Sequence, residues 1–137
     1  MSNDVLLKQA IESREASHSP YSQYKVGAAV KLSNGQVFGG CNIENASYGG
    51  TVCAERVAIW KALSEHPGMT IHEILVVTDS EKAWPPCGFC RQVMAEFSLP
   101  QTKVHVANLK GIQSSFLFSE LLPNSFNPNF LKPSAGK

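Results

Sequence analysis

The chain has 137 residues, 43% of them hydrophobic, which is enough to bury one core without disulfides or a metal, so a single domain over residues 1–137 is expected. Twelve basic residues against eleven acidic ones leave a formal charge of +1, which offers no basic face to nucleic acid or membrane and points to a small-molecule substrate. The opening MSNDVLLKQAIESREASHS lacks a charged start followed by an apolar run, and no later stretch approaches the roughly 20 apolar residues of a membrane span, so a cytoplasmic location is expected.

Leu6, Leu7, Ala10 and Ile11 recur at helical spacing between Val5 and Ala16, and Ser19-Pro20 closes that first helix. In KVGAAVKL the alternation of Val26, Ala28, Val30 and Leu32 predicts a strand. Asn34-Gly35 predicts a two-residue hairpin turn into a second, antiparallel strand, QVFGGCNI. IENASYGGT has no period and reads as a loop delivering side chains from the end of that strand, with Thr51 as the expected N-cap of the next helix. In that helix Ala54, Val57, Ala58, Ala62 and Leu63 form one stripe, and His66-Pro67-Gly68 ends it. The apolar run EILVVT is too short for a buried helix and fits a strand covered on both faces. Pro86 suits the first turn of a helix, CGFCRQVMAEF, and KVHVAN then completes a strand, helix, strand unit suited to parallel pairing. SSFLFS adds one more strand, and the tail NSFNPNFLKPSAGK is rich in Pro, Asn and Ser; no repeat, linker or second domain is visible.

In a reducing compartment, clustered cysteines favour a metal or a catalytic thiol over disulfides. On this reading Cys53 stands in the first turn of one helix, and Cys87 and Cys90 lie three apart at the start of another. Helix N-termini stabilise thiolates, the form that binds zinc, and three soft ligands favour zinc over calcium or magnesium. Closed structural sites use four protein ligands, whereas three leave a position for water, the pattern of a catalytic site. Glu55, two residues after Cys53, can reach that water without being a ligand, take its proton and return it to a substrate. Because three thiolates outweigh a dication, Arg56 and Arg91 are the nearest candidates to hydrogen-bond the sulfurs. Spacing alone leaves two alternatives: a Cys87–Cys90 redox pair, and a non-catalytic zinc module closed by Cys41 as fourth ligand. His18, His66, His72 and His105 stand alone in spacing and are not expected to be ligands. A Cys-x-Glu followed by Pro-Cys-x-x-Cys, both at helix starts, is the general signature of zinc nucleobase deaminases with Cys in place of the first His.

SPYSQYKVGAAV, GCNIENASYGGTVCAERVAIWKA and PPCGFCRQVMAEF together resemble the small, homotetrameric type of cytidine deaminase, over nearly the whole chain. The resemblance implies an α/β fold, a three-layer α-β-α arrangement with a mixed five-stranded sheet, and one zinc ion per subunit at two helix N-termini. It implies hydrolytic removal of the 4-amino group from cytidine and 2′-deoxycytidine in pyrimidine salvage, with Glu55 carrying protons from water to N3 and the departing amine. By the same resemblance Asn42 and Glu44 grip the ribose 3′-hydroxyl, the Ala54 N–H meets the pyrimidine carbonyl, and the Pro85 carbonyl lies near the leaving ammonia. Tyr24, at a position often occupied by Phe, packs against the base, while Tyr48 and Phe126 reach a neighbouring subunit's site, which puts active sites at subunit boundaries. Trp84 either caps the pocket or covers the core. The alternative on the same fold is a deaminase of another cytosine-bearing nucleoside, such as a nucleoside antibiotic.

Overall fold

The computed structural model of the chain describes residues 2–132, so the last five residues of the Pro, Asn and Ser-rich tail lie outside the described residues. Its alternating and apolar segments become strands β1 (Val26–Leu32), β2 (Val37–Cys41), β3 (Ile71–Thr78), β4 (Ser98–Asn108) and β5 (Gly111–Leu117). They form one sheet in the order β2-β1-β3-β4-β5. β1 runs antiparallel to both β2 and β3, β3 and β4 are parallel, and β4 and β5 are antiparallel, which is the mixed five-stranded sheet expected.

Helices α1 (Ser2–Arg14), α2 (Ala54–Glu65), α3 (Gly88–Phe97) and the short α4 (Phe118–Leu121) cover the sheet. Successive strand side chains point to opposite faces, so β1 and β3 feed two cores. Ala28, Val30 and Ile74 pack with Ile59 of α2, Met94 of α3 and Phe118 of α4. Ala29, Leu75 and Val77 pack with Leu6 and Ala10 of α1. The result is three layers, and it explains why β3 reads as an unbroken apolar run: it is central and has no solvent face.

Three local expectations are corrected. The β1–β2 connection is a three-residue loop, with Leu32 N–H donating to Gln36 O at 3.0 Å and Gly35 N–H to Leu32 O at 2.9 Å. A two-residue turn of the favoured type needs positive φ at both central residues, but only Gly35, at +88°, has it. Asn34 instead accepts the Gln36 N–H on its side-chain oxygen at 3.0 Å. Thr51 is not the N-cap of α2: Cys53 is, with extended backbone, while the Thr51 hydroxyl accepts from Asn45 N–H at 3.2 Å. Pro86 lies outside α3, whose N-cap is Cys87; the Cys87 sulfur accepts the Cys90 N–H at 3.4 Å, the role usually filled by a Ser or Asp oxygen.

One glycine sets where α2 lies. A Cβ on Gly40 of β2 would stand 2.5 Å from Ala58 N and 2.8 Å from Ala54 O, so the helix backbone rests directly on the strand. That contact fixes the end of α2 from which Cys53 projects.

Candidate active site

The N-termini of α2 and α3 converge, and each begins with a cysteine cap. Cys53, Cys87 and Cys90 place their sulfurs within 4.8 Å of one another. The Cys53 and Cys87 sulfurs are 3.8 Å apart. Two sulfurs bound tetrahedrally to zinc at about 2.3 Å stand about 3.8 Å apart, so the spacing already suits that ion. The donor set is all sulfur, with no carboxylate or imidazole among the described residues of the cluster, which also fits zinc. Cys41 is buried on β2 and does not join the cluster, so a four-cysteine site is not formed. Burial pushes the Cys41 thiol up against the opposing pull of Lys61. All four thiols are free, so no disulfide joins Cys87 to Cys90.

The three sulfurs share charge unequally. The hydrogen bond from Cys90, then that from Arg56, brings Cys53 down to about 5, while the same bond to Cys53, together with burial, pushes Cys90 strongly up. Of this pair, Cys53 is therefore the sulfur that gives up its proton first. Arg56 Nη2 lies 3.4 Å from its sulfur. Arg91 does not take up the role expected of it: its Nε donates to Pro86 O at 2.8 Å and its Nη1 to Leu121 O at 2.9 Å, so it ties the start of α3 to α4 instead of touching a sulfur. The physical reason is the pair of unpaired carbonyls at the Pro86 turn and the end of α4, which a forked guanidinium satisfies together.

Glu55, in the first turn of α2, is only 4% exposed. Burial pushes its carboxyl up to about 7, with the Cys53 thiolate adding to the rise and Arg56 opposing it. A carboxyl so placed gains and loses a proton near neutrality, which is what an acid-base group needs.

A cavity of about 240 Å³ opens onto this cluster, lined by Cys53, Ala54, Glu55, Cys87, Pro85 and Trp84. Asn42 and Glu44 line it too. Their polar atoms also brace the segment before β1. Asn42 Oδ1 accepts from Val26 N–H at 2.9 Å and from the Ser17 hydroxyl, and its Nδ2 donates to Tyr24 O at 2.8 Å, which leaves one N–H free. Glu44 accepts from the N–H groups of Tyr21 and Ser22 at 2.9 and 3.1 Å and from the Ser22 hydroxyl. Those bonds, led by the Ser22 hydroxyl, hold its carboxyl below the usual range.

Tyr24 is exposed outside the cavity, its ring edge-on to Trp84 at 4.9 Å. Tyr48 and Phe126 also lie outside it; Tyr48 packs edge-on against Tyr21 at 5.8 Å and Phe126 stacks on Phe130 at 5.7 Å. The walls include residues that sequence reasoning passed over, among them Val26, Val76 and Thr78. Val26 and Thr78 are register partners where β1 begins and β3 ends. The available signal was topological: open α/β sheets bind ligands outside the carboxyl ends of their strands. A larger hollow of about 520 Å³ lies by the end of α3 and the segment after α4, lined by no cysteine or histidine, so the smaller cavity is where the chemistry can occur.

The family described as the cytidine and deoxycytidylate deaminase zinc-binding region matches residues 1–106. A cytidine deaminase of Halalkalibacterium halodurans is 49% identical over 126 residues, covering 92% of this chain and 95% of that one. A cytidine deaminase of Sporosarcina psychrophila is 39% identical over 135 residues, 98% of each chain. The crystal structure of cytidine deaminase from Burkholderia pseudomallei superposes with a TM-score of 0.85 at 42% identity, covering 92% of this chain and all of that one. With its sulfur cluster and buried carboxyl inside the matched stretch, the chain belongs to the cytidine and deoxycytidylate deaminase zinc-binding family.

Proposed function

We propose that the chain catalyses the hydrolysis of cytidine and 2′-deoxycytidine to uridine and 2′-deoxyuridine, with release of ammonia. The observation that carries the reading is the cavity in which a buried Glu55, poised at about 7, stands beside three converging sulfurs. Cys53, Cys87 and Cys90 would hold one zinc ion per chain, and bound there it would supply Lewis acidity that makes water nucleophilic near neutral pH.

The chain's own residues do the rest. Glu55 carries two protons in turn, the first from water to ring N3 and the second from the new C4 hydroxyl to the departing amine; the C4–O bond forms, the C4–N bond breaks, and one water is consumed for each ammonia that leaves. The Ala54 N–H, one of the first-turn donors that α2 leaves without a helical partner, suits the pyrimidine carbonyl. Pro85 also lines the cavity, and its carbonyl suits the leaving ammonia. The free N–H of Asn42 and the Glu44 carboxylate suit a sugar hydroxyl. Trp84 and Val76 supply apolar walls that keep bulk water from the ring. Arg56 stabilises the thiolate of Cys53.

Tyr24, Tyr48 and Phe126 act in the assembled protein, a homotetramer with sites at subunit boundaries. Their exposure supports this: Tyr48 is 76% exposed, far more than a large aromatic ring needs for its own fold. Four free thiols suit a reducing compartment, and a cytoplasmic role in pyrimidine salvage follows. No helix among the described residues is long and apolar enough to cross a membrane. A single domain over residues 1–137 is supported by two cores that share one sheet.

The test is to mix purified protein with cytidine, follow ultraviolet absorbance and ammonia together, and measure zinc per chain. Stoichiometric ammonia at about one zinc per chain is expected, with no product from single-stranded DNA. Zinc-loaded protein that releases no ammonia from cytidine or deoxycytidine refutes the reading, and release only from a modified cytosine nucleoside reassigns the substrate.

A further inference from the structure

Phe89 sits in the first turn of α3 between two of the cysteines, yet it is 61% exposed and takes no part in the core. Its ring face carries the Arg56 guanidinium, whose Cζ stands 3.9 Å from the ring centroid. Cation-to-ring attraction operates within about 6 Å, so this is a close pairing. Trp60 offers a second, more distant ring at 5.9 Å. Arg56 itself is 8% exposed, and its Nε has no hydrogen-bond partner. A buried guanidinium normally has its five donors spoken for. Here one donor reaches the Cys53 sulfur, and what holds the flat face in place is an aromatic ring from the other helix.

We propose that Phe89 is a positioning residue for the metal centre: its ring face orients Arg56 so that Nη2 stays on the Cys53 sulfur, joining the two helices that carry the ligands. The inference rests on the zinc reading above. A ring matters here because its quadrupole attracts a cation, which an alkyl group of similar size does not. That difference separates orientation from mere covering of an apolar surface.

Zinc affinity of the intact protein, measured by competition with a chelator, reads the effect directly, for wild type, Phe89→Tyr, Phe89→Leu and Phe89→Ala. The Tyr variant is expected to match wild type, because it keeps the ring face. The Leu and Ala variants are expected to bind zinc roughly 2-fold to 30-fold more weakly, the range for a cation over an aromatic face. In an Arg56→Met background, Phe89→Leu is expected to change affinity no further, since there is no cation left to orient. Should the Leu variant fail to fold, Phe89→Met carries the same expectation. Wild-type affinity in the folded alkyl variant, or an equal loss with and without Arg56, overturns the inference. Failure of the zinc reading shows separately, as a wild-type chain that binds no zinc at these cysteines.

Discussion

Gly40→Ala tests whether the close seat of α2 on β2 sets the chemistry. The added methyl would stand 2.5 Å from Ala58 N and 2.8 Å from Ala54 O, where ordinary contact begins at 3.4 Å. The shortfall is 3.4 − 2.5 = 0.9 Å, and both neighbours are helix backbone, so no side chain can rotate aside. The helix itself has to move, at a stability cost of about 1–3 kcal/mol for overpacking. Because Cys53 caps that helix and Glu55 occupies its first turn, the same movement misplaces the carboxyl. A misplacement of about 1 Å costs roughly 100-fold in rate. Gly39→Ala is the matched control on the opposite face, where the new methyl meets the Ser13 hydroxyl and the Gln9 amide of α1. Those side-chain ends can swing away, at the expense of their mutual hydrogen bond and about 1 kcal/mol. Urea midpoints, zinc per chain and kcat on cytidine are measured for both. The expected result is a lower midpoint in each, with kcat reduced only in Gly40→Ala. Equal loss of kcat in both variants, or wild-type midpoint and kcat in Gly40→Ala, refutes the argument.

Glu55→Gln is expected to lower kcat by about 10²–10⁴-fold while zinc per chain stays unchanged, as checked by metal analysis beside the ammonia assay. Cys41→Ala is expected to keep full zinc content, because its sulfur is outside the cluster, whereas Cys87→Ala loses affinity; chelator competition distinguishes them. Trp84→Ala removes a cavity wall and the edge contact with Tyr24, and KM is expected to rise roughly 3-fold to 10-fold with a smaller change in kcat. Glu44 has a lowered carboxyl pKa, so its contribution to stability is complete above the ordinary carboxylate value and fades as pH falls through the lowered one. Thermal unfolding of wild type and Glu44→Gln is therefore expected to differ at pH 7 and to converge only as the pH falls through that lowered value.

The elements were legible wherever one physical pattern decided them. The helical stripe of Ala54, Ala58 and Ala62 and the unbroken run of β3 each had a single consistent reading, and the structure follows both; the cysteine spacing left a redox pair and a four-cysteine site open, and the structure groups Cys53, Cys87 and Cys90 without Cys41. The misses arise where a side chain's hydrogen bonding, local or distant, decides the outcome. Whether Asn34-Gly35 closes a two- or three-residue loop depends on the φ of Asn34, which its own side chain helps set. Thr51 and Pro86 are good helix starters by residue type, yet both helices start from a cysteine because the sulfurs must meet. Arg91 stands beside Cys90 in sequence, but one of its two targets is a carbonyl 30 residues away, in α4. No pattern local to PPCGFCR reveals that carbonyl, nor does the same segment show that Phe89 lies under Arg56.

Three thiolates around a dication leave an excess negative charge, and its effect reaches Glu55 as well as the metal. Burial and the Cys53 thiolate both drive the Glu55 carboxyl upward, while a hydrogen bond from its own backbone N–H and, after it, the charge of Arg56 draw it back. A carboxyl held far above neutrality would stay protonated and could accept nothing from water. Arg56 thus has two effects at one position: it stabilises the thiolate of Cys53 and adds to the pull that the backbone N–H exerts on its sequence neighbour. Helix geometry makes this possible, since residues three apart share a face and Arg56 can reach back along α2 to the capping sulfur. The two helix N-termini add about half a positive charge each at the same place, so the sulfurs are compensated by backbone as well as by the guanidinium. Arg91 can therefore be used for holding α3 against α4, and the site still has the positive charge its three sulfurs require.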